Sequence, residues 1–155
     1  MNPYERLVRR IGRTRAFAWF GRRVLTPLDT RLAGRRYSLT TFGTGFPLCY
    51  LTTTGRRSGA PRTVPLLYVE HEDGIALAAT NFGGKQHPGW SFNLEADPTA
   101  RVAIREQERV MAARRASDGE IARLWPRFCD IWPAYDAYRD RTTRNVKVFL
   151  LDPRP

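Results

Sequence analysis

The feature that most constrains the fold is a series of short strand-like segments joined by turns. Each segment is apolar and rich in β-branched or aromatic residues, which favours a strand. The six segments are residues 47–54, 61–70, 75–80, 100–104, 109–116 and 145–151. Most of the turns between them are too short to hold a crossover helix, so neighbouring strands should pair antiparallel. The sequence therefore predicts an α+β fold built on a six-stranded antiparallel barrel, rather than an array of βαβ units.

Two helices are predicted after the third strand. Pro88 suits the first position of a short helix through Trp90 and Leu94, because a first helical residue needs no N–H group. Ser117 and Glu120 match a capping box, which starts a helix expected to run over residues 118–131. These helices are expected to pack on the barrel.

The N-terminal segment differs in charge from the rest of the chain. Residues 1–36 hold ten Arg against two acidic residues, a net charge of +8 out of +11 for the whole chain. Apolar residues between Tyr4 and Leu25 recur at roughly helical spacing, which predicts a basic amphipathic helix interrupted near Gly12 and Gly21. We therefore expect residues 1–36 to form a helical segment and residues 37–155 to form the barrel domain.

Two roles fit this basic helix. It can pack on the barrel with its arginines in water, or it can attach peripherally to an anionic membrane, with Trp19 and Phe20 as apolar anchors. No nucleic-acid partner is expected, because the charge is concentrated at one terminus and no DNA-binding motif accompanies it. The N-terminus lacks the features of a secretory signal, which favours the cytoplasm, with contact at the inner face of the membrane under the second role.

The cysteines and histidines do not indicate a metal site. Cys49 and Cys129 are flanked by apolar residues and lack metal-ligand spacing, so we expect buried free thiols. His71 and His87 are isolated from one another along the chain. No metal is therefore predicted.

The turn at residues 55–62 carries the strongest chemical signal. Arg56, Arg57, Ser58 and Arg62 lie within eight residues that are bracketed by glycines. Such a turn can hold a phosphate or carboxylate group through guanidinium and backbone N–H donors. A solvated hairpin tip is the alternative. The spacing of a P-loop and its lysine are absent, so nucleotide triphosphate chemistry is not supported.

Several motifs, taken in order, resemble the deazaflavin-dependent nitroreductase family. They are L-T-T-T-G-R-R-S-G-x-P-R-x-x-P-L at residues 51–66, A-A-T-N-F-G-G at residues 78–84, and H-P-x-W-x-x-N-L-x-A-D-P at residues 87–98. A tyrosine-rich C-terminal segment follows. The resemblance covers residues 47–153, and the combination is specific although no single motif is.

The resemblance implies a split β-barrel that binds coenzyme F420, whose phosphate and polyglutamate tail are anionic. On this pattern the tail is held by Arg56, Arg57, Ser58 and Arg62. The deazaflavin ring is bordered by Val64, Pro65, Leu66, Ala78, Ala79, Thr80, Asn81, Phe82 and Gly83. Trp90 and Asn93 border the cofactor from the short helix, and Tyr135 and Tyr138 lie on the substrate side as candidate proton donors.

The activity implied is that of an oxidoreductase. Reduced F420 would pass a hydride to a small-molecule acceptor of the quinone or nitroaromatic type, and the protein would supply position and proton delivery. Flavin mononucleotide (FMN) is the alternative cofactor. A barrel that binds a lipid or stores a cofactor without turnover is the alternative function.

Overall fold

Seven strands form one antiparallel sheet in the part of the chain that the computed structural model describes, residues 3–12, 14–20 and 45–154. Their order across the sheet is β2-β1-β5-β6-β7-β4-β3. The strands are β1 (Leu48–Thr54), β2 (Pro61–Leu67), β3 (Val69–His71), β4 (Gly74–Ala78), β5 (Thr99–Ile104), β6 (Gln107–Arg115) and β7 (Val148–Pro153). The predicted α+β class and antiparallel pairing are confirmed.

The predicted number of strands is wrong, because the segment 61–70 forms two strands instead of one. It breaks at Tyr68, which alone separates β2 from β3. These two strands occupy opposite ends of the strand order. A sheet whose two edges are joined by a single residue must curl until the edges meet, and the Tyr68 N–H donates to the Pro47 carbonyl at 3.1 Å beside this junction. The sheet is thus a curled half-barrel.

Five α-helices accompany the described strands: α1 (Pro3–Gly12), α2 (Arg15–Phe20), α3 (Gly89–Ala96), α4 (Asp118–Ile131) and α5 (Ala134–Asp140). The bounds of α4 and its capping box are confirmed, since the Glu120 N–H donates to Ser117 Oγ at 3.3 Å and the Ser117 N–H donates to Glu120 Oε2 at 2.8 Å. The tyrosine-rich segment forms α5, a helix that the sequence pattern did not predict.

Apolar side chains fill two cores, one inside the barrel and one outside it. Along β4, Ile75 and Leu77 point inward, while Ala76 points toward the outer core. β7 alternates in the same way, with Leu150 in the outer core and Leu151 inside. Because side chains alternate between the faces of a strand, β4 and β7 are buried on both faces. The helices α4 and α5 supply the outer layer.

The N-terminal helices pack on this outer layer. The Tyr138 hydroxyl donates to the Gly12 carbonyl at 2.9 Å, and the Phe17 and Trp132 rings lie 6.1 Å apart. The Trp132 ring leaves no room for a side chain at Gly12. The predicted interruption near Gly12 is confirmed. The one near Gly21, together with the rest of the predicted segment up to residue 36, lies outside the described residues.

Candidate functional site

The basic turn forms the tip of the β1–β2 hairpin and is closed by its own backbone hydrogen bonds. The Gly55 N–H donates to the Ala60 carbonyl at 2.8 Å, and the Gly59 N–H donates back to the Gly55 carbonyl at 2.7 Å. Gly59 has a φ of +69°, a conformation that favours glycine. Arg56, Arg57, Ser58 and Arg62 are all exposed. The turn therefore presents three guanidinium groups to solvent from a fixed backbone.

Asn93 fastens this turn to α3. Its Oδ1 accepts from the Arg56 N–H at 3.1 Å, and its amide group donates to Thr53 Oγ1 at 3.0 Å. The Asn93 side chain is buried, so its bond to Thr53 is shielded from water, while the bond to Arg56 is partly buried. Asn93 thus braces the backbone of the basic turn, and its predicted place beside the cofactor stays a prediction.

Phe92 extends the connection along α3, and sequence reasoning missed it. The Arg56 guanidinium carbon lies 4.4 Å from the centre of the Phe92 ring, and Lys147 Nζ lies 4.9 Å from it, both within cation–π range. His87 meets the same ring edge-on at 5.9 Å. Phe92 thus links the basic turn to the segment that precedes α3.

That segment begins with a glycine loop at residues 79–84 in an uncommon conformation. Asn81, Phe82 and Gly83 form a 3-10 turn with φ values of +46°, +53° and +74°. Asparagine tolerates left-handed backbone, but for a bulky residue such as Phe82 it costs on the order of 1 kcal/mol or more. Ala79 and Thr80, just before them, are buried. Contacts from elsewhere must hold this loop.

Arg144 supplies those contacts, and sequence reasoning missed it too. Its guanidinium donates to the carbonyl of Thr80 at 2.8 Å, of Ala79 at 3.1 Å and of Gly84 at 3.2 Å. The same group lies 2.9 Å from His87 Nδ1. No local motif marks Arg144, because its partners are 57 to 65 residues away in the chain.

The predicted ring-bordering residues fall on different surfaces. Val64, Pro65 and Leu66 are partly buried on β2, which lies at one end of the strand order, where a proline without an N–H group is tolerated. Ala78 faces the outer core, whereas Ala79 faces the barrel interior. The remaining ones, Thr80 to Gly83, lie in the glycine loop.

Trp90 is buried inside the barrel, and its predicted place beside the cofactor stays a prediction. Its ring meets Phe149 edge-on, with the ring centres 5.6 Å apart. Its indole therefore forms part of the inner core.

Both candidate catalytic tyrosines are buried in the helical layer. Tyr135 contacts the Trp125 and Phe128 rings, and burial raises the pKa of its hydroxyl well above the ordinary value. The Tyr138 hydroxyl accepts from Trp132 Nε1 at 3.2 Å and donates to the Gly12 carbonyl. The Tyr138 ring also lies 5.8 Å from Phe82 of the glycine loop. Their proposed role as proton donors stays a prediction.

The thiols are unsuited to nucleophilic chemistry. Burial raises the pKa of Cys49 to about 12, and burial together with the Asp136 carboxylate raises that of Cys129 to about 11. Both are free. Within the described ranges, no group of three or more His, Cys, Asp or Glu side chains is placed to hold a metal ion. No described helix is long and apolar enough to cross a membrane.

A shallow groove of about 320 Å³ lies beside the basic turn. It is lined by Thr52, Thr53, Thr54, Gly59, Pro61, Thr99, Ala100, Arg101 and Val110. These residues lie outside the set predicted to contact the cofactor, so the groove is not assigned to the ring.

The residues present fit an anionic, planar cofactor. Exposed guanidinium groups on a fixed turn suit a phosphate or carboxylate tail, and the half-buried apolar strand β2 suits the face of a ring. α3 contacts the basic turn through Asn93, and its Phe92 ring meets His87, which lies 2.9 Å from the Arg144 guanidinium that bonds to the glycine loop.

The chain is similar to known proteins of one family. The model of a family described as F420H(2)-dependent quinone reductase matches residues 21–153. An F420H(2)-dependent quinone reductase of Mycobacterium tuberculosis is 31% identical over 111 residues, which cover 70% of this chain and 74% of that protein. A second protein of that organism is 34% identical over 116 residues, covering 72% of this chain and 98% of its own length.

Solved structures agree with these relatives. One described as an F420-H2 dependent reductase (FDR-A) has a TM-score of 0.63 at 34% identity, covering 68% of this chain and 94% of its own. Another, described as a domain-swapped dimer, has a TM-score of 0.64 at 34% identity and covers 68% of this chain and 80% of its own. A heme binding protein from Mycobacterium smegmatis, at 19% identity and a TM-score of 0.57, shares the fold alone.

Proposed function

Because the chain belongs to the F420H(2)-dependent quinone reductase family, we propose that it uses reduced coenzyme F420 to convert a quinone to a quinol. The proposal rests mainly on the basic turn. Its arginines are exposed, and its backbone is held by a hydrogen bond to Asn93. When bound, the reduced deazaflavin supplies the hydride. The chain's residues bind and orient the reactants and exclude water.

The proposed binding residues divide by chemistry. Arg56, Arg57, Ser58 and Arg62 would hold the anionic tail through charge-assisted hydrogen bonds. Val64, Pro65, Leu66, Ala78, Ala79, Thr80, Asn81, Phe82 and Gly83 would border the ring. Trp90 and Asn93 would border the cofactor from α3.

Reduction of a quinone also needs a proton, and Tyr135 and Tyr138 are the proposed donors. The Tyr138 hydroxyl is bonded to the Gly12 carbonyl in this structure, so donation from it requires that bond to break. Tyr138→Phe tests the role at saturating substrate. A proton donor predicts a rate loss of about a hundredfold with unchanged cofactor affinity, whereas a role in anchoring α1 predicts lower stability and an unchanged rate.

A fluorescence titration with the oxidised cofactor tests the binding site. Replacing Arg56 and Arg62 together by Ala should weaken binding by about a hundredfold or more, since each charge-assisted bond contributes roughly 1.5–3 kcal/mol. Arg101→Ala is the matched control, because Arg101 is an exposed arginine on β5 that pairs with Glu108 at 3.5 Å. A wild-type protein that binds no F420 up to about 50 µM would overturn the proposal. If FMN binds more tightly than F420, FMN would be identified as the cofactor instead.

The acceptor is tested by oxidation of the reduced cofactor in the presence of menadione and, separately, of nitroaromatic compounds. The proposal predicts a menadione-dependent rate. A rate with nitro compounds alone would assign the acceptor to that class instead. Cofactor binding without any acceptor-dependent rate would identify a cofactor-binding module without turnover.

We further propose that the N-terminal helices contact an anionic membrane, with residues 1–36 as the contact segment. Leu7, Ile11 and Trp19 are 56%, 44% and 56% exposed even though α1 and α2 are packed on the protein. Exposed arginines accompany them at positions 6, 10 and 15. Exposed apolar and basic side chains on one short segment suit the interface of an anionic bilayer at its cytoplasmic face.

Co-sedimentation with vesicles tests this contact. Phosphatidylglycerol vesicles should retain the protein, phosphatidylcholine vesicles should not, and the change of Leu7 and Trp19 to Ser should abolish retention. Val110→Ser is the control, because Val110 is 47% exposed but lies on β6. Equal retention of the N-terminal variant and the control would contradict the proposal.

A further inference from the structure

The glycine loop at residues 79–84 does not hold its conformation by local bonds alone. The Gly83 N–H donates to the Thr80 carbonyl and the Gly84 N–H to the Asn81 carbonyl, each at 2.9 Å. These short-range bonds close the turn but leave its orientation on the barrel open. Asn81, a residue type that tolerates left-handed φ, also donates from Nδ2 to the Gln86 carbonyl at 3.0 Å, but Phe82 has a left-handed φ that bulky residues rarely adopt. An outside contact is needed to make this arrangement the favoured one.

Arg144 provides that contact from both sides of the loop. It donates to the carbonyls of Ala79 and Thr80, which precede the left-handed residues, and to the carbonyl of Gly84, which follows them. A guanidinium group has five N–H donors in a planar fork, so one side chain can satisfy several carbonyls at fixed angles. A lysine ammonium at the end of a flexible chain lacks this fixed geometry.

The fourth partner of Arg144 ties the loop to α3. Arg144 Nη1 lies 2.9 Å from His87 Nδ1. Since a guanidinium can only donate, Nδ1 accepts, and the proton of a neutral His87 ring is on Nε2. His87 in turn packs on Phe92, which also receives the Arg56 guanidinium. A continuous series of contacts therefore runs from the glycine loop to the basic turn.

We propose that Arg144 is a positioning residue that sets the glycine loop in the conformation required for the deazaflavin ring. This inference rests on the proposed function for the cofactor, because the loop residues Thr80 to Gly83 are proposed to border that ring. Arg144 acts through the loop backbone, which it holds in register with α3 and the basic turn.

Hydrogen exchange on the protein without cofactor tests the positioning itself. Arg144→Lys should speed exchange at the Gly83 and Gly84 amides by about tenfold or more, because the loop opens locally once its carbonyl contacts are lost. Arg139→Lys is the matched control, since the Arg139 guanidinium pairs with Asp136 at 3.2 Å and lies 4.6 Å from the centre of the Trp125 ring, whereas that of Arg144 bonds to the loop carbonyls. Equal exchange at these amides in the two variants would overturn the proposal.

The second measurement separates positioning from stability alone. Cofactor affinity and the single-turnover rate at saturating reduced cofactor are measured well below the melting temperature of Arg144→Lys and of Arg144→Met. Both variants should lose about tenfold in affinity and a further tenfold in the saturated rate, because misplaced reactants react slowly even when bound. Lower melting temperatures with unchanged affinity and rate would reduce Arg144 to a structural residue and overturn the proposal.

The two measurements also distinguish this proposal from the proposed function. If the wild-type protein binds no F420, the proposed function fails, and with it the role of the loop toward the ring. Faster exchange in Arg144→Lys would then still show that Arg144 holds the loop in place, but the ligand of the loop would not be F420.

Discussion

The glycine loop packs closely on α5 at Gly83, because glycine has no side chain. The φ of Gly83 is +74°, and a Cβ atom there would lie 2.9 Å from the Tyr138 carbonyl oxygen and 3.1 Å from the Tyr138 Cα. Both are backbone atoms of a helix and cannot move aside cheaply. The loop therefore reaches its place only with glycine at this position.

Gly83→Ala should lower the free energy of unfolding by about 2–3 kcal/mol, the sum of a left-handed alanine and a steric conflict. Gly59→Ala is the control, because Gly59 has a φ of +69° but no atom of the described residues would lie within 4 Å of a Cβ atom there. That control should lose about 1 kcal/mol from the backbone alone. Urea denaturation measures both, and equal losses would contradict a conflict with α5.

The stability of the protein should depend on pH through His87. Burial lowers the pKa of His87, and so do Arg144, Lys147 and Arg115, while Glu95 raises it. The folded pKa is thus below the ordinary value of 6.5, and the unfolded chain binds the proton more readily. The contribution of His87 is fully present above about pH 6.5 and is lost as pH falls from there through the folded pKa.

Urea denaturation at about pH 7.5 and about pH 5, on either side of the ordinary histidine pKa, measures this dependence. The wild-type protein should lose more stability on acidification than His87→Gln, because the variant lacks the titrating ring. An identical loss in the two proteins would show that protonation of His87 is not coupled to folding.

Among single residues, the sequence predicted the exposed charged side chains better than the contacts between residues distant in the chain. Arg56 and Arg57 between two glycines, with Arg62 just beyond them, predict an exposed turn that binds an anion. All three arginines are exposed on that turn, while the anion stays a prediction. Arg144 and Phe92 were missed because each gains its role from residues distant in the chain. The spacing of residues along the sequence carries no signal for such contacts.

Among the elements, α4 is the one whose limits the sequence specified most directly. Its start depends on Ser117 and Glu120, which bond to each other's backbone N–H groups. Arg114 adds two bonds to the Glu120 carboxylate, at 2.9 and 2.8 Å, which with the Ser117 amide lower the pKa of that carboxyl to about 2. These contacts are all local, so a sequence pattern can reveal them.

Ser117→Ala should reduce the free energy of unfolding by about 1 kcal/mol through loss of the helix cap. Thr143→Ala, an exposed hydroxyl outside the cap, serves as the control and should change stability by less than about 0.5 kcal/mol. Thermal and urea denaturation measure the two variants. A Ser117→Ala protein as stable as the control would show that Glu120 and Arg114 hold the helix start unaided.

Strand positions and hairpin partners were predictable for the same local reason, whereas the pairing of strands distant in the chain was not. The β1–β2 hairpin follows from the short turn between its strands, and its pairing places Thr52 opposite Thr63. The break at Tyr68 depends on how far the sheet curls. Curling is a property of all seven strands together, so an apolar stretch at residues 61–70 looks like one long strand.

In the whole molecule, the two cores share the strands that separate them. β4 and β7 contribute side chains to both, with Leu77 and Phe149 on the inner side and Val148 and Leu150 on the outer. Because β4 and β7 line both cores, unfolding of one core would remove one side of the other. The domain is therefore expected to unfold in one cooperative step.

Fluorine NMR of 5-fluorotryptophan-labelled protein tests this cooperativity without mutation. Trp90 reports on the inner core, and Trp125 reports on the outer one. Their native resonances should disappear at the same urea concentration. Trp19, which is 56% exposed on α2, serves as a reference for a site outside both cores. Separate midpoints for Trp90 and Trp125 would contradict a shared transition.

The single residue between β2 and β3 also governs where the chain can change in length. An extra residue at Tyr68 would shift β3 relative to β2 and turn side chains to the opposite face of the sheet. An insertion at the tips formed by residues 72–73 or 105–106 would only enlarge a loop, at a small entropic cost. Natural insertions and deletions should therefore accumulate at such tips, while the junction at Tyr68 keeps one constant length.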